Sequence, residues 1–168
     1  MEMKFQCGDQ VRYGSHGLCH IIGIEKMKSR SGYASYFVLQ PCIQSDSRYY
    51  VPVHNEAAVS KLSKALTKDE VCLLLTRAAG TQDQWIDDEM LRKQKYKELI
   101  TGNDREALLN MVRSVFTYRT GQLAAGKRLH LSDEGFLKDA QRLLEDEFAA
   151  ALAIDKSEGG AVIESYFK

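Results

Sequence analysis

Near residue 56 the spacing of the apolar residues changes, and this change constrains the fold more than any single motif. Before it, β-branched and aromatic residues gather in short runs: Val11 and Tyr13, then Ile21, Ile22 and Ile24, then Tyr36 to Leu39, then Tyr49 to Val53. Such residues fit a pleated, half-buried surface. Turn-forming clusters separate the runs, at Gly8-Asp9, Gly14 to Gly17, Ser29 to Gly32 and Ser45 to Ser47. Four or five short strands in about 55 residues predict a small, strongly bent barrel or sheet. Pro52 has no N–H to give to a ladder, so its strand belongs at an edge or an end.

After residue 56 the period is helical. Thr67 and Glu70 form a capping box, and the helix they open runs through Val71, Leu74 and Leu75 to a stop at Gly80. A second helix is expected over residues 86–101, ended by Gly102-Asn103. A third starts near Asp104 and carries Leu108, Leu109, Val112, Val115 and Phe116 on one face. It fades between Gly121 and Gly126. A fourth is expected from Ser132 as N-cap, with Asp133 and Glu134 in its first turn. Its stripe from Phe136 to Leu152, which includes Glu147, reads as core, and Lys138, Arg142 and Glu145 opposite read as a solvated face. Residues 155–168 read as a flexible tail: Ser157 to Gly160 is a joint, and Ala161 to Phe167 is a short apolar patch that either frays or docks on a neighbouring molecule.

Charge and cysteine usage narrow the function. The chain has 23 basic and 23 acidic residues, unevenly spread. Residues 1–80 carry net +3, residues 81–130 net +2 and residues 131–168 net −5. That is not the footprint of a strong, indiscriminate nucleic-acid binder; any such contact must be local and assisted by a partner. Cys7, Cys19, Cys42 and Cys72 show no CxxC spacing, so they read as free or buried thiols. Cys7, Cys19 and His20 match no standard zinc knuckle. No metal or cofactor is expected. Cys19 and His20 are adjacent on a strand and point apart, which argues against a thiol–imidazole catalytic pair. No motif of a metalloprotease, P-loop or hydrolase elbow is present, and the chain reads as no enzyme. Residues 1–20 hold no apolar run of signal-peptide length, and no stretch approaches a membrane span, so a cytoplasmic protein with no membrane contact is expected.

Trp85 is the single tryptophan. It follows the polar run Gly80 to Gln84 and precedes a charged helical stretch. Two uses compete for it. It can cap the helical bundle by packing on Ile86, Met90 and Leu91, since a Trp buries a large apolar area. Alternatively, its flat face can stack on a nucleic-acid base or wedge beside one.

Several local motifs, taken in order, resemble the CarD family of bacterial RNA polymerase-binding transcription regulators. The likeness runs from about Phe5 to Ile154. Its first part is Gly8-Asp9-x-Val11-x-Tyr13-x-x-His16-Gly17, followed by Ile22-x-Ile24-Glu25, Tyr36-Phe37-Val38-Leu39 and Val51-Pro52. Its second part is Trp85, a basic helix ending in a Gly turn, and Leu131-Ser132 opening a helix that ends Leu143-Leu144-x-x-Glu147. The resemblance implies an α+β protein: an N-terminal Tudor-like or SH3-like barrel followed by an all-α helical bundle. It implies that the barrel binds the polymerase β subunit by aligning strand edges. It also implies that the tryptophan enters the minor groove at the upstream fork of the promoter bubble and props it open.

Beside the resemblance, the residues offer specific candidates. The strand edges suited to pairing with a partner are Glu25 to Lys28 and Arg48 to Val51, which makes Lys26, Met27, Lys28, Arg48, Tyr49, Tyr50 and Val51 the candidate polymerase contacts. Some relatives carry arginine where this chain has Met27 and Tyr50. For DNA, the candidates are Trp85, with Arg92, Lys93, Lys95, Lys127 and Arg128 as phosphate contacts. Asp87, Asp88 and Glu89 suit a helix N-terminus but oppose a phosphate backbone.

The resulting expectation is residues 1–62 as a polymerase-interacting domain, 63–154 as a helical DNA-contacting domain and 155–168 as a tail. The chain would regulate transcription as a monomer, or as a tail-mediated dimer, associated with the nucleoid through polymerase. The alternative is a Tudor-like protein adaptor without DNA contact.

Overall fold

The computed structural model describes residues 3–43, 45–80 and 84–166. Thr81 to Asp83 of the polar run before Trp85, and Phe167 of the apolar tail patch, lie outside the described residues. The chain forms two compact units, Met1–Ala65 and Leu66–Lys168.

The first unit is an antiparallel sheet of β1 (Gln10–Tyr13), β2 (Leu18–Ser29), β3 (Gly32–Pro41), β4 (Tyr49–Pro52) and β5 (Leu62–Lys64), with a short helix α1 (Glu56–Val59) before β5. The strand order is β4-β3-β2-β1-β5. This corrects the barrel: the sheet is open, with β4 and β5 as its two outer strands. The ends are too short to wrap round and meet, four and three residues long. Instead Ala58 and Val59 of α1 close over the core, together with Phe5. That core is Val11, Cys19, Ile21, Phe37, Leu39, Val51 and Leu62. Phe37 and Leu39 alternate with Val38, so one face of β3 supplies the core, as strand geometry requires. Strands β2 and β3 run as a long hairpin whose turn needs Gly32 at φ 120°, a conformation L side chains rarely adopt. Because β5 belongs to this sheet, the first unit extends to Ala65 rather than residue 62.

The second unit is helical: α2 (Lys68–Ala79), α3 (Glu89–Thr101), α4 (Arg105–Ala124), α5 (Leu131–Leu152) and α6 (Lys156–Ser165). The capping box at Thr67 and Glu70 is formed in both directions. Asp104 caps α4 by accepting from the Ala107 N–H. Helix α3 starts three residues later than its sequence suggests. Asp88 caps it, accepting from Leu91 N–H at 2.9 Å. The carbonyls of Ile86 and Asp87 accept from Arg92. Helix α5 starts earlier than expected, with His130 rather than Ser132 at the N-cap and no side-chain cap bond. Asp133 lies in its first turn and faces Arg92 rather than solvent.

The frayed tail is also corrected. Residues 156–165 form α6, opened by a capping box between Asp155 and Glu158. The helix packs on α5 and buries Ile163. Gly159 is not a joint but a contact: a Cβ there would lie 2.8 Å from the Glu145 carbonyl oxygen. The core of this unit gathers Leu75 from α2, Tyr96 from α3, Leu108 and Val112 from α4, Leu144 and Phe148 from α5, and Ile163. No helix among the described residues is long and apolar enough to cross a membrane.

Candidate partner and nucleic-acid interfaces

In the sheet unit, the β2–β3 hairpin outruns its neighbours. Strand β1 pairs with β2 only through Leu18, Cys19 and His20, whereas β2 pairs with β3 as far as Ser29. Among the described residues, no strand pairs with the other margin of residues 23–29. Lys26, Met27 and Lys28 lie on that margin, all exposed. On the opposite side of the sheet, β4 is the last strand, and its outward N–H and C=O groups have no strand partner among the described residues. An open margin of this kind can accept a partner strand by main-chain hydrogen bonding.

Side-chain direction divides these candidates. Val51 pairs with Phe37 and is buried in the core, so it offers a partner only its backbone. Tyr49 is half-buried against the same core. Tyr50 pairs with Val38, and Met27 pairs with Ala34. Residues 34 and 38 share the face of β3 away from Phe37, so Met27 and Tyr50 share it too. Both are exposed. Met27 and Tyr50 therefore place apolar bulk on one sheet face. Lys26 and Lys28 point to the other face; Arg48 precedes β4 and is exposed.

In the helical unit, Trp85 is half-buried in the segment between α2 and α3. Its ring stacks parallel on Tyr118 of α4, with centroids 3.7 Å apart and planes 6° from parallel. The Arg92 guanidinium lies over the ring at 4.5 Å from the centroid. A parallel ring at van der Waals distance fills one face, so the guanidinium takes the other. The indole is thus a slice between a phenol and a cation. Its packing partners are not the expected Met90 and Leu91, which are both exposed.

Arg92 is the largest departure among the sequence-derived candidates. Its side chain is 3% exposed and that of its partner Asp133 0%. Arg92 Nε and Nη2 donate to the two Asp133 carboxylate oxygens, each at 2.9 Å. Nη1 donates to the Ile86 carbonyl at 2.8 Å and reaches the Asp87 carbonyl at 3.3 Å. The bonds to Asp133 hold its pKa above the ordinary arginine value. All three guanidinium nitrogens donate inside the protein, so Arg92 is corrected from a phosphate contact to an internal brace. Lys93 is partly engaged, its Nζ 2.6 Å from Glu89. Lys95, Lys127 and Arg128 are exposed.

Sequence reasoning missed Tyr118 and Asp133. Tyr118 carried no signal beyond its place on α4. For Asp133 a signal existed: a carboxylate in the first turn of α5 has a ready structural reading at a helix N-terminus, which hid its second partner.

Residues 5–63 match the family model of the CarD-like/TRCF RID domain. The match covers the open sheet and stops short of the helical unit, and it is consistent with the CarD-like resemblance of the motifs from Gly8 to Pro52. A comparison with curated proteins finds no match.

Proposed function

We propose that this chain is a non-enzymatic transcription regulator that binds the β subunit of RNA polymerase through its sheet unit and stabilises the open promoter complex through its helical unit. The observation that carries the reading is the match of residues 5–63 to the CarD-like/TRCF RID domain, on a sheet with open margins. Strand addition along β4 or the β2 margin supplies the polymerase contact. Trp85 meets the minor groove at the upstream edge of the melted bubble, with Lys93, Lys95, Lys127 and Arg128 toward the phosphates. Regulation follows by differential binding: contact that is better with melted than with closed DNA shifts the equilibrium by that difference and no more. A difference of about 1.4 kcal/mol changes the open-to-closed ratio tenfold.

The test is Trp85→Ala in the full chain. Polymerase capture should be unchanged, while the lengthening of open-complex lifetime is lost. A second reading, a protein adaptor without DNA contact, is favoured by one observation: both faces of Trp85 are covered and Arg92 is internal. Retained polymerase capture with no binding to a promoter-fork duplex would select the adaptor.

A further inference from the structure

Past its neighbours, the β2–β3 hairpin is a free two-stranded ribbon. Strand β1 pairs with β2 no nearer the tip than His20, and β4 pairs with β3 no nearer than Tyr36. The Val53 N–H reaches the Ser35 carbonyl. Beyond that point, Met27 to Ala34 have only each other as strand partners among the described residues. The turn is nevertheless well ordered: Ser29 Oγ donates to the Gly32 carbonyl at 2.9 Å, and Gly32 holds φ 120°.

The two faces of the ribbon differ in charge. Ile24 pairs with Phe37, so Lys26 and Lys28, two and four residues on, share its face. Ser35 and Tyr33 stand opposite those lysines on the same face. Lys26 and Lys28 are exposed, and Tyr33 is 80% exposed. Arg30 is exposed in the turn. Glu25, the one carboxylate in residues 24–35, faces the other way. Among the described residues none of Lys26, Lys28 and Arg30 is ion-paired.

Three free cations and a large exposed aromatic on a carboxylate-free surface suit a polyanion. Strand addition uses main-chain groups in the plane of the sheet, and these side chains stand across that plane, so the face stays free when a margin is occupied. Strands about 4.8 Å apart make a ribbon narrow enough for a DNA major groove about 12 Å wide. Lys26 and Lys28 are about 7 Å apart along the strand, enough to meet different phosphates of one backbone. Tyr33 offers a hydroxyl that donates to a phosphate and a ring that meets a thymine methyl. A single strand fits less well, because stacking successive bases takes several rings and this face has one.

We propose that the free end of the β2–β3 hairpin is a duplex-DNA contact in its own right, with the Lys26, Lys28 and Tyr33 face laid into the major groove and Arg30 leading at the turn. This contact is separate from that of Trp85 and stands whether or not Trp85 reaches DNA. It lets a chain of zero net charge meet DNA locally.

The test is fluorescence anisotropy of the full chain with a short labelled duplex, and with one of its strands alone, between about 50 and 200 mM salt. Lys26→Gln/Lys28→Gln should lower the slope of log affinity against log salt by about 1.8 and weaken duplex binding about tenfold. Arg30→Gln, in the turn and outside every strand pair, should lower the slope by about 0.9, and it keeps the test open if the double variant fails to fold by circular dichroism. Tyr33→Ala should weaken binding with the slope unchanged, since it removes no charge. Lys61→Gln/Lys68→Gln, which removes as many charges elsewhere, should bind as wild type. Wild-type affinity and slope in the folded double variant, no duplex binding by the full chain at about 50 mM salt, or tighter binding to the single strand overturns the proposal. A double variant that keeps its DNA affinity and loses capture of purified β subunit also overturns it, and assigns the face to an acidic protein surface. Each of these failures leaves the Trp85→Ala lifetime to decide the other contact.

Discussion

Asp133 is a carboxylate without solvent contact, and its two oxygens are each met by Arg92. Removing one member of such a pair leaves the other buried and uncompensated. Asp133→Ala should therefore cost roughly 3–5 kcal/mol, read as a fall in the urea midpoint. Tyr96 lies near the same pair, and its hydroxyl is buried with no hydrogen-bond partner among the described residues. Burial is the first cause that pushes its pKa up to about 12, with Asp133 adding and Arg92 opposing. An unpartnered buried hydroxyl is a cost, so Tyr96→Phe should stabilise the protein by about 1 kcal/mol at neutral pH. The folded phenol holds its proton above the ordinary value near 10. The folded state then binds more protons than the unfolded one between about pH 10 and 12, and wild-type stability must fall through that window. Tyr96→Phe should lack this fall, which alkaline denaturation curves will show. None of this was legible from residue types. Arg92 stands among lysines as one more positive charge, and its partner is 41 residues away. The available hint was chemical: an arginine in a lysine-rich helix is the residue suited to a planar, buried role.

At the scale of elements, local chemistry was legible and long-range pairing was not. The capping box at Thr67, the cap at Asp104 and the stop at Gly80 are written in neighbouring residues, and α2 and α4 form where those residues say. The open sheet is different: whether β4 meets β5 depends on strand lengths and on α1 covering the gap, which no local pattern encodes. Helix α6 was hidden by Gly159 and Gly160, which read as flexibility although they permit close approach to Glu145. That approach has an electrostatic consequence. Burial, then Asp146, then Glu164 raise the Glu145 pKa above the ordinary carboxylate value. Lys156, the basic residue at the start of α6, pairs with Asp146 instead. A raised carboxyl favours its protonated form in the folded state, so its contribution is present in acid and lost as pH climbs past the carboxylate range. Glu145→Gln should thus raise the melting temperature at pH 7, and the advantage should vanish below about pH 4.

Over the whole molecule, each unit has its own core: Phe37 and Leu39 centre one, Leu108 and Phe148 the other. Expressed separately, residues 1–65 and 66–168 should each fold. The first should capture polymerase while the second does not, as a pull-down with purified β subunit will report. The bare margins beside β2 and β4 carry a further meaning for the isolated protein. Rows of amides and carbonyls with no strand partner among the described residues welcome any extended chain, including the same rim on another copy. Along those rims Lys26, Lys28 and Arg48 outnumber Glu25, so two copies approaching rim to rim repel. Dissolved ions shorten the reach of that repulsion to about 8 Å at physiological strength and about 3 Å at 1 M. Purified away from its partner, this protein will stay clear in dilute buffer and turn cloudy in brine, the reverse of what a nucleic-acid contaminant would teach the person at the bench to expect.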